Sequence, residues 1–272
     1  MSSKRYDYVI LGNSTAGIAC LESLRERDSE GTVAIVSDQL NQAYCSPLIS
    51  YVLAGKVPEE RINYRSRDLY TKMKADTYLG QEATALDTKA HELTLASGTV
   101  LSYGKLLVAM GGTPIVPNIP GKDLEGVFTF TRFEDMCRVR EYIKTNAVRQ
   151  AVIVGGGMIG VKVAEAFTYL GLDTTMVELM DRVLAQALDE TGSQMARQSL
   201  EEHGVRVVTS AAATSVGGSN GKVQSVTLDT GSRVPAQIVV MAVGVRPNTA
   251  LAQQAELAVN RGILVDDHMR TS

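Results

Sequence analysis

Apolar and polar positions along the chain form two blocks that follow the same order. In the first block, an apolar run at residues 6–11 (YDYVIL) leads into GNSTAG, and IACLESLRER then repeats apolar residues at helical spacing. A second apolar run follows at residues 32–38. The pattern predicts a strand, a helix and a second strand, with glycines at the first turn.

The second block begins at Gln150 and repeats this order. QAVIV is a strand pattern, GGGMIG is the turn, and VKVAEAFTYLG is a helix pattern that ends at Gly171, where a helix C-terminus favours glycine. Residues 173–178 give the next strand pattern. Two such units predict an α/β fold with two Rossmann-like, three-layer FAD/NAD(P)-binding domains.

The segment between the blocks predicts hairpins and a linker. Residues 77–112 alternate apolar and polar positions around the turn signal Ser97-Gly98, which favours antiparallel strands. Residues 113–121 are rich in proline and glycine and predict a linker. FEDMCRVREYIK then predicts a helix that leads into the second block.

The second domain is predicted to be inserted in the first, because the strand pattern after the second block repeats the earlier one. Its turn signals are Gly217-Gly218 and Asn220-Gly221. The predicted domains are residues 1–113 with 244–272 for the first, and residues 114–243 for the second.

Composition and charge narrow the range of functions. The 272 residues carry 27 basic and 30 acidic side chains, so net charge does not drive binding to nucleic acid or to a membrane surface. No apolar run approaches the ~20 residues that span a bilayer. The N-terminus runs into a strand pattern without a signal segment. We therefore expect a cytoplasmic protein.

The cysteines and histidines form no metal or disulfide pattern. Cys20, Cys45 and Cys137 are odd in number and far apart, without CxxC spacing. The three histidines are also scattered: His91, His203 and His268. The sequence therefore predicts neither a metal site nor a disulfide framework, and Cys20 and Cys137 are interpreted as small packed residues.

The second glycine turn has the full GxGxxG spacing, at Gly155, Gly157 and Gly160. The first glycine permits a tight turn, the second lets the backbone approach a diphosphate, and the third lets the helix pack on the strand. Glu178 closes the next strand, where an acid accepts hydrogen bonds from a ribose diol and repels a 2′-phosphate. A carboxylate at this position therefore favours NADH over NADPH. The alternative is that the glycines serve packing alone.

The first glycine turn is less regular. Ser14 stands where the second glycine is expected, so its side chain must point away from the phosphates or hydrogen-bond to one. At the end of the next strand either Ser37 or Asp38 could meet a ribose. A Rossmann-like fold without a nucleotide at this turn is the alternative.

Together these segments resemble the FAD-dependent pyridine nucleotide–disulfide oxidoreductase superfamily, in particular the branch of NADH:rubredoxin oxidoreductase and the flavin module of NADH-dependent nitrite reductase. The segments that carry the resemblance are YVILGNSTAG, AYCSPLISYVLAGK, YGKLLVAMGGTPIVPNIPG, VIVGGGMIG, VVMAVGVRPN and GILVDDHMRTS. The resemblance implies that the first domain binds FAD and the second binds NAD(H). It also implies hydride transfer from NADH to flavin, and then electron transfer to a separate acceptor, a rubredoxin-like protein or a nitrite-reductase partner.

The resemblance further implies which residues bind the cofactors. Those expected at FAD are Gly12, Asn13, Ser14, Ala16, Gly17, Ser37, Asp38, Ser46, Pro47, Ala83, Ala109, Met110 and Gly111. The other expected cofactor-binding residues are Gly155, Gly157, Met158, Ile159, Gly160, Glu178, Val243 and Gly244. No general acid or base is expected, because hydride transfer between the two cofactors needs none.

The chain departs from this family at three positions. Met110 replaces the threonine of an Ala-Thr-Gly sequence, and Ser46 stands where relatives often carry arginine. Lys162 stands where many members carry glutamate near the nicotinamide. A cation at Lys162 could support the electron-rich reduced flavin or be solvated.

A catalytic cysteine is the main alternative to this chemistry. Single-cysteine relatives place their thiol at a position that falls on Pro47, so Cys45 lies two residues too early. Cys45 is therefore interpreted as a bystander, with a CoA-disulfide or persulfide reductase that uses Cys45 as the alternative. A non-catalytic NAD-binding module is a further alternative.

The final residues predict a short strand at 262–265 and a polar loop at 266–272. In the full-length family this segment is followed by a strand, a Gly-Asp motif that closes the FAD site, and an interface domain. The resemblance therefore implies a shortened chain with reduced FAD affinity and a complete NAD domain. Family dimers form largely through the interface domain, so the sequence leaves open whether this chain forms a homodimer.

Overall fold

The computed structural model describes residues 3–272, which divide into two compact units. The first unit comprises the residues up to Cys45, Asn63–Thr113 and Arg246–Ser272, and the second comprises Ser46–Ile62 and Pro114–Val245. The chain therefore leaves the first unit and returns to it twice. The sequence-based division placed residues 46–62 in the first domain, whereas in the structure this segment packs within the second unit.

Both units contain helices and strands. The helices are α1 (Thr15–Arg27), α2 (Ile49–Leu53), α3 (Leu69–Lys72), α4 (Phe133–Thr145), α5 (Met158–Tyr169), α6 (Glu190–Glu202) and α7 (Ala250–Gln254). The strands are β1 (Ser3–Leu11), β2 (Val33–Ser37), β3 (Ala75–Leu79), β4 (Ala83–Asp87), β5 (Glu92–Leu95), β6 (Val100–Val108), β7 (Gly112–Pro114), β8 (Val127–Phe128), β9 (Gln150–Val154), β10 (Asp173–Val177), β11 (Val205–Val208), β12 (Ala213–Ser219), β13 (Lys222–Leu228), β14 (Arg233–Pro235), β15 (Ile238–Met241) and β16 (Val245–Pro247). Among the described residues, no helix combines the length and the apolar character needed to cross a membrane.

The first unit is built on a six-stranded sheet in the order β3-β2-β1-β6-β5-β4. In this sheet β3, β2, β1 and β6 are parallel to one another. β5 pairs antiparallel with β6, and β4 pairs antiparallel with β5. The predicted hairpins are therefore confirmed for β4, β5 and β6. The prediction was wrong for β3, which pairs in parallel with β2. β3 lies at the edge of the sheet and none of its residues is fully buried, so it lacks the continuous apolar run that identifies a central parallel strand.

Both faces of this sheet are covered. Ile18 and Leu21 of α1 pack on one face against Ile10 and Ile35, and the hairpin strands contribute to a second apolar cluster on β1 and β2. Central strands covered on both faces read as continuous apolar runs, which explains the sequence pattern of β1 and β2. Each fully buried side chain of this kind contributes about 1.5–3 kcal/mol.

The second unit has a five-stranded parallel sheet in the order β11-β10-β9-β15-β8. Helix α5 packs on β9 and β10, and α6 packs on β11. The antiparallel sheet β12-β13-β14 covers the other face, where Val226 and Val234 join Val152 and Val239 in one apolar cluster. This three-layer arrangement confirms the predicted α/β fold.

One of the two predicted turns in this unit is confirmed and one is wrong. Asn220 and Gly221, with φ of 52° and 79°, join β12 to β13 as an Asn-Gly hairpin turn should. Gly217 and Gly218 instead lie within β12, where the pairing with β13 shifts register. Glycines inside a strand commonly mark such a bulge. In the sequence, this glycine pair looks the same as a glycine pair at a turn.

The strand predicted at residues 262–265 is also wrong. Ile263 makes a single bridge with Val259, and Leu264 and Val265 are 51% and 45% exposed. A short apolar run forms a strand only where a neighbouring strand accepts its hydrogen bonds. Helix α7 precedes this segment and packs on β4.

Candidate functional site

The first glycine turn joins β1 to α1 in a tight bend. Gly12 has a φ of 128°, and its N–H donates to the backbone oxygen of Val36 in β2 at 2.9 Å. A Cβ at Gly12 would lie 2.1 Å from the backbone oxygen of Ala109. Glycine is therefore required both by the backbone conformation and by the close approach of the residue after β6.

The same turn leaves the start of α1 open. Ser14 is the N-cap residue, is exposed, and makes no side-chain capping hydrogen bond. A Cβ at Gly17 would lie 2.0 Å from the backbone oxygen of Gly12, so this glycine lets the helix approach the strand. The first turn of α1, with the exposed Ala16, carries no acidic residue. The partial positive charge of its N–H groups is therefore not compensated from within the helix.

Asn13 connects this turn to two other segments of the first unit. Its side-chain nitrogen donates to the backbone oxygen of Asn41 at 3.1 Å, and its side-chain oxygen accepts from the hydroxyl of Tyr70 at 2.7 Å. The same hydroxyl accepts from the N–H of Ala43 at 3.0 Å. Burial raises the pKa of Tyr70, which keeps the hydroxyl protonated and able to donate.

The end of β2 lies beside the start of β4. Ser37 is buried and its hydroxyl accepts from the N–H of Gln39 at 3.2 Å, while Asp38 is exposed. The backbone oxygen of Ser37 also accepts from the N–H of Gln81 at 2.8 Å. Ala83, the first residue of β4, lies two residues beyond Gln81. The structure therefore brings Ser37, Asp38 and the approach to Ala83 together.

The end of β6 is fixed by a residue that sequence reasoning missed. The side-chain nitrogen of Asn248 donates to the backbone oxygen of Met110 at 2.9 Å, and its N–H donates to the backbone oxygen of Gly111 at 3.0 Å. Its side-chain oxygen accepts from the hydroxyl of Thr113 at 2.7 Å. Asn248 ends the VRPN segment, and the pattern gave no reason to connect it with residues so far upstream.

The second glycine turn repeats the geometry of the first. Gly155 has a φ of 112°, and its N–H donates to the backbone oxygen of Val177 at 2.7 Å. A Cβ at Gly155 would lie 2.3 Å from the backbone oxygen of Ala242, and one at Gly160 would lie 2.0 Å from that of Gly155. The first and third glycines are therefore required by the backbone itself.

Gly157 differs from its two neighbours in the motif. It is the exposed N-cap residue of α5, and a Cβ placed on it would meet nothing within 4 Å. The first turn of α5 carries no acidic residue, whereas α4 and α6 carry acids there. Open space before an uncompensated helix N-terminus is the arrangement that suits an anionic group.

Glu178 lies over the second turn. One carboxylate oxygen accepts from the N–H of Gly156, and the other accepts from the N–H of Met180 at 2.7 Å. A Cβ at Gly156 would lie 3.1 Å from the same carboxylate, so glycine gives Glu178 its space. The carboxylate therefore fixes the turn and places a negative charge at the end of β10.

Exposed apolar side chains surround this turn. Met158, Leu179 and Met180 are 62%, 67% and 50% exposed, and Ile159 is partly buried. On the far side of β15, Gly244 has a φ of 126° and its backbone oxygen accepts from the N–H of Ile115 at 2.9 Å. Val243, beside it, is 39% exposed.

Lys162 lies in a cluster of polar side chains from α5, from α2 and from the segment that follows α2 in the second unit. Its ammonium donates to the hydroxyl of Tyr51 at 2.7 Å and pairs with Glu165. Glu165 also pairs with Lys56 at 3.2 Å, and Lys56 lies 3.3 Å from the ring centroid of Tyr169. The prediction that Lys162 is either near the flavin or solvated stays open, but its ammonium already has two protein partners.

The charges in this cluster stabilise one another. Burial lowers the pKa of Lys162, but the hydrogen bonds to Glu165 and Tyr51 outweigh it and raise the pKa above its ordinary value. Burial raises the pKa of Glu165, and Lys162 and Lys56 together bring it below its ordinary value. All three groups therefore stay ionised across the neutral range.

The cysteines are free thiols at separate places in the fold. Cys45 is partly buried and directly precedes the 3-10 turn Ser46–Leu48, which carries Ser46 and Pro47 into the second unit. Burial raises the pKa of Cys20 and of Cys137, which lowers their thiolate fraction.

The residues present fit two dinucleotides. Each turn has a left-handed first glycine, a third glycine in backbone contact, and a helix N-terminus without an acidic first turn. The first turn offers its backbone N–H groups beside Ser14, and the second offers them beside Gly157 with a carboxylate nearby. A diphosphate flanked by a ribose is the ligand chemistry that both arrangements accommodate.

The chain belongs to the pyridine nucleotide-disulphide oxidoreductase family, whose model matches residues 6–272. The family consists of oxidoreductases that are flavoproteins with Rossmann-like domains. The resemblance recognised from the glycine turns and the other segments is therefore confirmed.

Three known proteins illustrate the match. The chain is 30% identical over 97% of its length to the rubredoxin-NAD(+) reductase of Pseudomonas putida, covering 68% of that protein. It is 28% identical over 97% of its length to an NAD(P)H nitrite reductase of Bacillus subtilis, covering 32% of that protein. The crystal structure of a ferredoxin reductase for the CYP199A2 system from Rhodopseudomonas palustris superposes with a TM-score of 0.92 at 26% identity, over 97% of this chain and 65% of the other. The chain thus spans between one third and about two thirds of these proteins.

Proposed function

We propose that this protein is an FAD-dependent NADH oxidoreductase that passes a hydride from NADH to flavin and electrons on to a separate acceptor. The observation that carries the proposal is the pair of glycine turns, which present the same backbone geometry at Gly12 and Gly155. Membership of a family of NAD(P)H oxidoreductases supports it. When bound, the flavin supplies the two-electron chemistry, and the chain binds and orients the groups that react.

The first turn is proposed to hold FAD. The N–H groups at the start of α1 would meet its diphosphate, and Ser14 adds a hydroxyl at the position where the second turn has glycine. Ser37 or Asp38 would meet the adjoining ribose, and the segment before Ala83 lies beside them. Ala109 contacts the same turn, and Asn248 holds the backbone of Met110 and Gly111, which follow it. Ser46 and Pro47 remain predicted contacts of the flavin ring.

The second turn is proposed to hold NAD(H). The N–H groups next to Gly157, Met158 and Ile159 would meet the diphosphate. The carboxylate of Glu178 would face the ribose and repel a 2′-phosphate, which favours NADH over NADPH. Val243 and Gly244 would bound the site after β15.

No side-chain acid or base is assigned to the hydride step. Lys162 is proposed to act through its fixed positive charge, because two partners hold its ammonium and its pKa is raised. Cys45 is assigned no chemistry. A rubredoxin-like protein or a nitrite-reductase partner is the proposed class of acceptor, after the names of two relatives.

The experiment is an anaerobic titration of FAD-loaded protein with NADH, followed by visible absorbance. We expect the oxidised flavin bands to bleach with one equivalent of NADH, and Cys45→Ser to behave like the wild type. Calorimetric NADH binding without any retained flavin would favour a non-catalytic NAD-binding module instead. Loss of thiol-disulfide turnover in Cys45→Ser, with bleaching intact, would favour the single-cysteine reductase.

A further inference from the structure

The hydroxyl of Tyr70 joins three segments that meet at the first glycine turn. It donates to Asn13 in the turn at 2.7 Å and accepts from the N–H of Ala43 at 3.0 Å. Asn13 extends the link by donating to the backbone oxygen of Asn41 at 3.1 Å. The segment after β2 is thereby fastened to the turn after β1 through two side chains.

The ring of Tyr70 is held as well as its hydroxyl. It packs against the apolar cluster that includes Ile10 and Ile18, the residues that seat α1 on β1. A partly buried hydroxyl with one donated and one accepted hydrogen bond has little freedom to move. The position of Asn13 is therefore set by the core of the first unit.

The second turn provides an independent comparison. Counting from the first glycine, Asn13 corresponds to Gly156, and Gly156 is fastened through its own N–H by the carboxylate of Glu178. Both units thus tie the residue after the first glycine to a neighbouring segment, with different chemical groups. In both units the residue after the first glycine is held by a hydrogen bond, and the residue that follows it is exposed. This shared arrangement suits a turn whose conformation is set before a ligand binds.

On this basis we infer that Tyr70 is a positioning residue of the first dinucleotide site, which acts through Asn13 to preset the turn and residues 41–43 before the ligand binds. The inference rests on the proposed function, since it takes FAD as the ligand. Binding is tighter when the contacting backbone is ordered beforehand, because less conformational entropy is lost on association. Tyr70 itself need not touch the ligand for this effect.

The test measures FAD binding to flavin-free protein by fluorescence titration, for wild type, Tyr70→Phe, Asn13→Ala and the double variant. We expect each single change to weaken FAD binding about tenfold. The double variant should lose clearly less than the product of the two factors, because both changes break the same hydrogen bond between Tyr70 and Asn13. NADH binding to the second unit should stay unchanged in all three variants.

Tyr103→Phe is the matched control, because among residues 3–272 that hydroxyl makes a single long hydrogen bond, of 3.4 Å, to the backbone oxygen of Asp87 in the same unit. It should leave FAD binding unchanged. Hydrogen exchange of the Ala43 amide in flavin-free protein gives a readout without ligand, and it should speed up in Tyr70→Phe but not in Tyr103→Phe.

The outcomes separate the two proposals. Wild-type protein that binds no FAD would overturn the proposed function and this role with it. Wild-type protein that binds FAD, with equal affinity in Tyr70→Phe, would overturn this role alone. Additive losses in the double variant would also contradict it, since they would mean that the two residues act separately.

Discussion

The two glycine turns share their backbone geometry and differ in the side chains that surround it. Gly12 and Gly155 both adopt left-handed backbone, and a Cβ on the third glycine of either turn would lie 2.0 Å from the first glycine's oxygen. The residue between them is Ser14 in the first turn and Gly157 in the second. The shared part suits a diphosphate, so any selectivity between two dinucleotides must come from the parts that differ.

The largest of these differences is electrostatic. The second turn is fastened by a carboxylate, Glu178, whereas the first is fastened by the neutral pair Asn13 and Tyr70. Ser37, at the end of β2, occupies the position that corresponds to Glu178. The N–H of Gly12 donates to the residue before Ser37, and the N–H of Gly155 donates to the residue before Glu178. A negative charge at this point disfavours a phosphorylated ribose, and a hydroxyl does not.

The shared geometry predicts the largest effects. Gly17→Ala and Gly160→Ala should each lower the free energy of unfolding by about 3 kcal/mol, because the new methyl group meets a backbone oxygen. Gly17→Ala should weaken FAD binding by at least about 100-fold, and Gly160→Ala should do the same for NADH, since a displaced helix no longer presents its N–H groups. Denaturant unfolding and calorimetry measure both effects.

Gly262→Ala serves as the control, because its Cβ would meet nothing within 4 Å and its backbone is not left-handed. It should leave stability and both affinities unchanged. Wild-type affinities in Gly17→Ala and Gly160→Ala would show that the third glycines are not needed for the dinucleotides.

The electrostatic difference predicts an intermediate effect. Glu178→Gln removes the charge and leaves one of two backbone N–H groups without its acceptor, so NADH binding should weaken a few-fold. The preference for NADH over NADPH should fall about tenfold, because the 2′-phosphate is no longer repelled. Calorimetric titrations with both nucleotides give the ratio. Asp181→Asn, an exposed acid three residues on, should keep the wild-type ratio, and an unchanged ratio in Glu178→Gln would contradict the role of the carboxylate.

The ends of the two helices predict effects on stability alone, which are smaller than the losses of stability expected at the third glycines. Helix α1 is held by Arg25, which donates to the backbone oxygens of Asp28, Gly31, Met73 and Lys74. Arg25→Met should lower the free energy of unfolding by about 2–3 kcal/mol. Gly171, two residues after the end of α5, has a φ of 72°, and Gly171→Ala should cost about 1 kcal/mol.

Denaturant unfolding checks both values, and Arg27→Met, an exposed change on the same helix, should stay near wild type. A larger loss from Gly171→Ala than from Arg25→Met would reverse the expected order.

Local patterns predicted much of the fold, because they report on neighbours in sequence. The glycine turns, α4, α5 and β9 all follow from periodicity and turn chemistry over a few residues. The wrong predictions share a different cause. The direction of β3, the bulge at Gly217 and the single bridge at Ile263 depend on which strand lies alongside, and periodicity does not encode that.

The same limit applies to the candidate site. Asn13 and Tyr70 are 57 residues apart in sequence, and Met110 and Asn248 are 138 apart. A hydrogen bond between such positions leaves no local signature, so Tyr70 and Asn248 could not be found from the sequence alone. The position of Glu178 beside the second turn could be expected from the sequence, because an acid commonly follows a turn of this kind at a regular distance.

The assignment of one dinucleotide to each turn is tested most directly by Ser14→Asp and Gly157→Asp, each titrated with FAD and with NADH. Aspartate is a favoured N-cap residue, and both positions are exposed, so the fold should be kept. Its charge opposes a diphosphate at the same helix N-terminus. We expect Ser14→Asp to lose FAD and keep NADH, and Gly157→Asp to lose NADH and keep FAD. If either variant keeps its own ligand at wild-type affinity, or loses the other one, the assignment is wrong.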